Sequence, residues 1–145
     1  MYLPDFNYYQ PGTIPEACEI LVRYGSRAKV LSGGTDLLPK MKQELLAPEA
    51  LVSLRGISGM SEIEYLPGRG VLIGARATPN DIVNSTVLNN NFMSVSEAAH
   101  TMANNQVRNM GSIGGNIVNA VPSADLPPIL IALGATVVLV GLEGS

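Results

Sequence analysis

The first clear period along the chain lies between Thr13 and Gly25. Ala17, Ile20, Leu21 and Tyr24 recur at helical spacing and define one apolar face. Thr13 and Glu16 have the spacing of a capping box, Pro15 is tolerated in a first turn, and Gly25 suits a left-handed cap. Upstream, MYLPDFNYYQPG reads as an extended segment closed by a Pro11-Gly12 turn. Ala28 to Ser32 reads as a short strand. A helix from Thr35 to about Gln43 follows, limited in regularity by Pro39, and then a second short strand, Leu51 to Leu54. These are β–α–β-like units in a small lobe ending near Gly56.

The pattern changes downstream. Glu62 to Leu66 alternates as a half-buried strand does, and Val71 to Gly74 is its partner across the turn Pro67-Gly68-Arg69-Gly70. Thr78-Pro79-Asn80-Asp81 starts a helix, with a capping residue before proline at the first helical position. A further helix is predicted from about Phe92 to Ala103, with Val95, Ala98, Ala99 and Met102 on one side. Asp125 caps a helix that continues through Leu133, and Ala135 to Val140 has the apolar, β-branched look of a buried strand. The coarse class is α/β or α+β, built from short elements.

Two segments break this regularity. Arg108 to Asp125, RNMGSIGGNIVNAVPSAD, concentrates glycines with small hydroxyl and amide side chains. Glycine lets a backbone approach a ligand closely, and serine and asparagine add hydrogen-bonding groups without bulk. The run therefore reads as a loop whose backbone N–H groups wrap an anion, or as a glycine-rich bend between strands. Lys29 to Leu38 has the order strand, Gly33-Gly34 turn, helix start. A helix N-terminus suits a phosphate. Together the two segments suggest a ligand with two phosphates, converging on one diphosphate. Neither matches the dinucleotide or P-loop glycine patterns.

Composition narrows the chemistry. A length of 145 residues allows one domain or two small lobes, and 46% apolar against 14% charged residues makes a core easy to build. A net charge of −3 argues against nucleic acid as the main partner. Cys18, the only cysteine, leaves no internal disulfide and suits a reducing, cytoplasmic setting. It reads as a quiet, buried or half-buried thiol. No signal peptide or membrane span is expected: the longest uncharged run, Leu126 to Leu142, is shorter than the roughly 20 residues a span requires.

His100 has no triad partner near it and reads as structural. Arg108 and Lys42 read as solvated surface positions, and the methionines as core filler. Asp36 and Asp125 follow small-residue loops, so each suits a helix cap, and Asp125 alternatively suits ribose hydroxyls. No activated nucleophile and no metal-ligand cluster stands out, so any redox chemistry has to come from a bound cofactor.

Phe6-Asn7-Tyr8, Pro11-x-Thr13, Val30 to Leu38, Arg108-Asn109-x-Gly111-Ser112-Ile113-Gly114-Gly115-Asn116-Ile117 and Pro122-x-Ala124-Asp125 run in order along the chain. In this the sequence resembles the FAD-binding medium subunit or domain of the molybdenum hydroxylases, a group that includes xanthine dehydrogenase, carbon monoxide dehydrogenase and 4-hydroxybenzoyl-CoA reductase. The resemblance implies an α+β, two-lobed FAD-binding domain of the vanillyl-alcohol-oxidase (PCMH) type, with its C-terminal part missing. Residues 1–57 would form the small N-terminal FAD-binding lobe and 58–145 an incomplete second lobe. FAD would lie in the cleft between them.

The same resemblance implies the cofactor-binding set. Val30, Leu31, Ser32, Gly33, Gly34, Thr35, Asp36 and Leu37 would wrap the pyrophosphate and ribityl side. Met102 and Ala103 would line the adenine, Ser112, Gly115 and Asn116 would complete the pyrophosphate cradle, and Asp125 would hold the ribose. It further implies an electron-transferring oxidoreductase subunit without catalytic residues or a metal of its own. Its partners would be a 2Fe–2S small subunit and a molybdopterin large subunit, with NAD or another acceptor taking electrons. The alternatives are a non-catalytic assembly piece that docks partner subunits without flavin, and a free-standing flavin reductase of the muramate-precursor type.

Overall fold

The computed structural model describes residues 3–144, which group into two compact units. The first comprises residues up to Ser58 together with those from Val137 onward; the second is Gly59–Thr136.

The first unit is built on a three-stranded parallel sheet. β1 (Asn7–Tyr9) and β2 (Ala28–Leu31) both pair with β3 (Ala50–Ser53), so the order is β1-β3-β2. Asn7 and Ala28 both lie opposite Ala50, and Leu31 lies opposite Ser53. All four β3 residues are buried. A central parallel strand covered on both faces must read as a continuous apolar run, and Ala50-Leu51-Val52 does.

The crossover from β1 to β2 is α1 (Ile14–Tyr24), which turns Ala17 and Ile20 inward. Thr13 Oγ1 accepts from Glu16 N at 3.3 Å. The reciprocal half of the expected capping box is shifted by one residue, because Glu16 Oε2 accepts from Gly12 N at 2.9 Å. The second crossover is α2 (Leu37–Lys42), which starts two residues later than its sequence suggests and buries Met41.

Tyr9 on β1 and Tyr24 on α1 share a hydrogen bond of 2.7 Å between hydroxyls, with Arg27 over the Tyr24 ring. That bond raises the Tyr9 pKa; desolvation and the Tyr24 charge add to the rise, and Arg23 opposes it. The half-buried Cys18 thiol points to the Val140 carbonyl at 3.8 Å.

The second unit opens with the antiparallel hairpin β4 (Ile63–Leu66) and β5 (Gly70–Ile73), paired as predicted across the Pro67-Gly68-Arg69 turn. Six helices follow: α3 (Pro79–Asn84), α4 (Thr86–Asn91), α5 (Met93–Thr101), α6 (Asn105–Met110), α7 (Ile113–Asn119) and α8 (Leu126–Ala132). Their shared core is Ala77, Ile82, Leu88, Val95, Ala99, Met102, Ile113 and Leu126. Full burial of an aliphatic side chain contributes about 1.5–3 kcal/mol, so Ile82, Leu88 and Leu126 anchor three of these short helices.

α3 carries the complete capping box, with Thr78 Oγ1 accepting from Asp81 N and Asp81 Oδ2 from Thr78 N. α4 has no clear signal in its sequence, since Asn-rich Asn84-Ser-Thr-Val-Leu-Asn-Asn-Asn91 is poor in helix formers. It forms because the Ser85 hydroxyl caps it through Leu88 N and the Leu88 side chain is buried.

The structure corrects two expectations here. Ala135 to Val140 is not a strand; no ladder partner pairs with it among the described residues, and Val137, Val138, Leu139 and Val140 are exposed. A β-branched run gains its ladder hydrogen bonds only against a neighbour. The segment read as a glycine loop is largely helical, as α6 and α7 occupy most of residues 105–119.

Candidate functional site

The segment after β2 has a loop geometry suited to a ligand. Ser32, Gly33, Gly34 and Thr35 link β2 to α2 and are half-buried. Gly34 has φ +76°, and a Cβ there would sit 3.0 Å from both Leu31 Cδ1 and Leu38 Cδ1. Only glycine meets both conditions without strain. Gly34 O accepts from Leu38 N, whereas the N–H groups of Gly33, Gly34 and Thr35 donate to no backbone acceptor among the described residues. Asp36 occupies the N-cap position of α2 without a side-chain capping bond, and Leu37 opens the helix. Val30 is exposed and Leu31 half-buried at the end of β2.

In the second segment the chain uses its own backbone donors. Ile113 N donates to Ala77 O and Gly114 N to Ala75 O, each at 2.9 Å, and Asn116 N donates to Ser112 O. Gly115 N donates to Ser112 Oγ at 3.2 Å. The expected nest of free N–H groups is therefore absent from residues 113–116. The physical reason is twofold: the Ser112 hydroxyl caps α7 through Gly115 N, and the Ala77 and Ala75 carbonyls take the two N–H groups before it.

The two adjacent glycines do different work. A Cβ on Gly114 would lie 2.7 Å from Ala75 O, so this glycine lets α7 press against the residue-75 backbone; a Cβ on Gly115 would meet only Ser112 Oγ, at 3.0 Å. What the segment offers a ligand is side chain. Asn116 Oδ1 is buried and has no hydrogen-bond partner among the described residues, and a buried acceptor without a donor is costly. Ser112, accepting from Gly115, still has its hydroxyl proton to donate. Asp125 is exposed at the N-cap of α8 and makes no capping bond with its side chain.

Met102 caps the C-terminus of α5 and Ala103 follows it, with Met102 in the core and Ala103 exposed at φ +39°. Arg108 is no solvated surface residue. It is half-buried, and its Nη1 donates to Met102 O at 2.8 Å and Ala103 O at 3.2 Å. Its Nε donates to Asn80 Oδ1 at 3.4 Å. Asn80 Nδ2 in turn donates to Asn105 Oδ1 and Asn109 Oδ1 at 2.9 and 2.6 Å. Sequence reading missed this network because Asn80, which ties Asn105, Arg108 and Asn109 together, lies 25 to 29 residues away from them; the one local signal was the Ala103-Asn104 turn after the apolar face of α5.

Two shallow hollows occur elsewhere. One is lined by Leu3, Pro4, Met41, Glu44, Leu46 and Ala47, and the other includes Val83, Asn89, Met93, Ser96 and His100. Neither includes a predicted cofactor residue. No helix among the described residues is long and apolar enough to cross a membrane.

Taken unit by unit, the residues have the chemistry a dinucleotide needs: in the first, the 33–35 turn has N–H donors of the kind a phosphate accepts from, and in the second, Asn116 Oδ1 and the exposed Asp125 carboxylate are acceptors of the kind a hydroxyl donates to. The family described as "FAD binding domain in molybdopterin dehydrogenase" matches residues 4–145. The carbon monoxide dehydrogenase medium chain of Hydrogenophaga pseudoflava is 39% identical over 99% of this chain and 50% of its own length. The glyceraldehyde dehydrogenase medium chain of Sulfolobus acidocaldarius is 35% identical over 100% of this chain and 51% of its own. A solved structure, reconstituted CO dehydrogenase from Oligotropha carboxidovorans, superposes with a TM-score of 0.95 at 38% identity, covering 99% of this chain and 50% of that one. The chain thus spans about half the length of the relatives it matches. Its mixed helix-and-strand fold and its sequence agree, and the chain belongs to the FAD-binding domain family of the molybdopterin dehydrogenases, the molybdenum hydroxylases.

Proposed function

We propose that this chain holds FAD within the medium subunit of a molybdenum hydroxylase, where it serves electron transfer between iron–sulfur clusters and NAD or another acceptor. The observation that carries this reading is the Gly33 to Thr35 turn of the first unit, whose N–H groups donate to no backbone acceptor among the described residues where a strand gives way to a helix; the buried Asn116 acceptor of the second unit supports it separately.

FAD, when bound, supplies the redox chemistry by accepting and releasing electrons. The protein's part is to bind and orient. The N–H groups of Gly33, Gly34 and Thr35 would meet phosphate oxygens, with Val30, Leu31, Ser32, Asp36 and Leu37 framing that turn. The Ser112 hydroxyl would donate to the diphosphate. Asn116 Oδ1 would accept from the cofactor, and Gly115 would leave room for its approach. The Asp125 carboxylate suits ribose hydroxyls, which donate to an acceptor-only group. Met102 and Ala103 would border the adenine.

The partners in this reading are an iron–sulfur small subunit and a molybdopterin large subunit, in keeping with the "medium chain" names of the relatives. The test is retention of flavin absorbance after desalting, by this chain and by a longer version that extends to the length of its relatives. Retention by either supports the reading, and loss from both rejects it. A second reading, an assembly piece that docks subunits without flavin, draws on the exposed apolar run Val137 to Val140 and Leu142. It predicts a complex with those subunits whose stability is unchanged when FAD is stripped.

A further inference from the structure

We propose that Arg108 is a positioning residue: it holds the Met102–Ala103 turn in the shape that receives the adenosine end of FAD. This rests on the flavin reading above and adds to it a residue that touches no part of the ligand.

The argument begins with strain. Ala103 has φ +39°, a region that an L-residue other than glycine enters at a cost. The turn joins α5 to α6 through Met102, Ala103 and Asn104, and the carbonyls at the end of α5 have no partners further along their own helix. Arg108, on α6, reaches back and donates from one nitrogen to two successive carbonyls, Met102 O and Ala103 O. The guanidinium is held by Asn80, which receives Nε and binds Asn105 and Asn109 through its amide. Asn80 itself sits in the first turn of α3, the helix with the complete capping box. The Met102 side chain is buried in the core, and Ala103 is left exposed. One side of the turn is thus anchored inside the unit while the other presents its backbone and methyl outward. A lysine cannot reproduce this, because its single ammonium lacks the planar fork that bonds Asn80 and both carbonyls together.

The test compares FAD with FMN, which has no adenosine, in titrations of the full chain and of the chain with its partner subunits. If Arg108→Gln leaves the turn competent in about one molecule in ten, FAD binding weakens about tenfold, and FMN binding stays at the wild-type level. Adding Ala103→Gly to Arg108→Gln recovers most of the loss, because glycine adopts the positive φ unaided. Arg108→Lys falls between. Unchanged FAD affinity in Arg108→Gln overturns the inference and leaves the flavin reading intact. Equal losses of FAD and FMN, or no recovery with Ala103→Gly, also overturn it. Wild-type protein that binds neither flavin overturns the flavin reading, and this inference with it. If Arg108→Gln does not fold, Arg108→Lys with and without Ala103→Gly carries the same expectation at a smaller size.

Discussion

Gly114 and Gly115 are neighbours in sequence and in the same helical turn, yet alanine at the two positions should have very different consequences. At Gly114 the new methyl would lie 2.7 Å from Ala75 O and 3.0 Å from Ala75 Cβ, so α7 and the residue-75 backbone would have to part. That separation strains or breaks the bonds Gly114 N to Ala75 O and Ile113 N to Ala77 O, each contributing about 1 kcal/mol. Overpacking adds about 1–3 kcal/mol, and alanine's better helix propensity returns at most about 1 kcal/mol. Gly114→Ala should therefore destabilise the second unit by about 2–4 kcal/mol and lower its melting temperature by roughly 8–30 °C. At Gly115 the methyl meets only the Ser112 hydroxyl, and a slightly weakened cap is set against the same propensity gain. Gly115→Ala should stay within about 1 kcal/mol of wild type while weakening FAD binding. Urea unfolding followed by far-UV circular dichroism, paired with flavin titration, reads both. Wild-type stability in Gly114→Ala would refute the close-approach argument. A large stability loss in Gly115→Ala would refute the division of labour between the two glycines.

Thr78→Ala removes one half of the only reciprocal capping box among the described helices and should cost about 0.5–2 kcal/mol in urea midpoint analysis. Ala120 closes α7 at φ +49° and is exposed, so Ala120→Gly should leave stability unchanged or raise it by up to about 1 kcal/mol, measured the same way. Tyr24→Phe takes away the hydroxyl that raises the Tyr9 pKa, so one of the four tyrosines left of the original five should ionise nearer its ordinary value of about 10 in a 295 nm titration. The sign of the accompanying stability change follows from the direction of that shift. A pKa raised by folding contributes stability that is present below the unfolded value and lost as pH rises through the folded one. The advantage of wild type over Tyr24→Phe should accordingly shrink above about pH 10; an advantage that grew with pH would count against the bond's role.

Elements with both a period and a boundary residue were legible in the chain alone. Thr13 with Gly25 bounds α1, Thr78-Pro79 starts α3, and Pro67-Gly68 joins β4 to β5, since caps and turns act through bonds only a few residues long. α4 was not legible, because burial of Leu88 outweighs a run of poor helix formers. Ala135 to Val140 was misread for the converse reason: strand-like residues do not make a strand unless another strand lies beside them.

The residues of the candidate site were marked by sequence, but not the part each plays. Glycine content made the 108–125 segment conspicuous, and the ordered motifs placed the chain in its family. Glycine, however, serves equally a backbone that must approach a ligand and a helix that must approach its neighbour. Only the tertiary structure, by setting Gly114 against Ala75 and giving the 113–116 donors to Ala77, Ala75 and Ser112, decided that this segment is a capped helix whose open groups are side chains. The same holds for Arg108: a lone basic residue in sequence, it reaches carbonyls only six and five residues away, but Asn80, whose amide oxygen accepts from its Nε, comes from 28 residues upstream and is brought alongside only by folding. Local bonds are written into neighbouring residues, whereas the partners of a long-range contact are fixed only when the chain closes on itself.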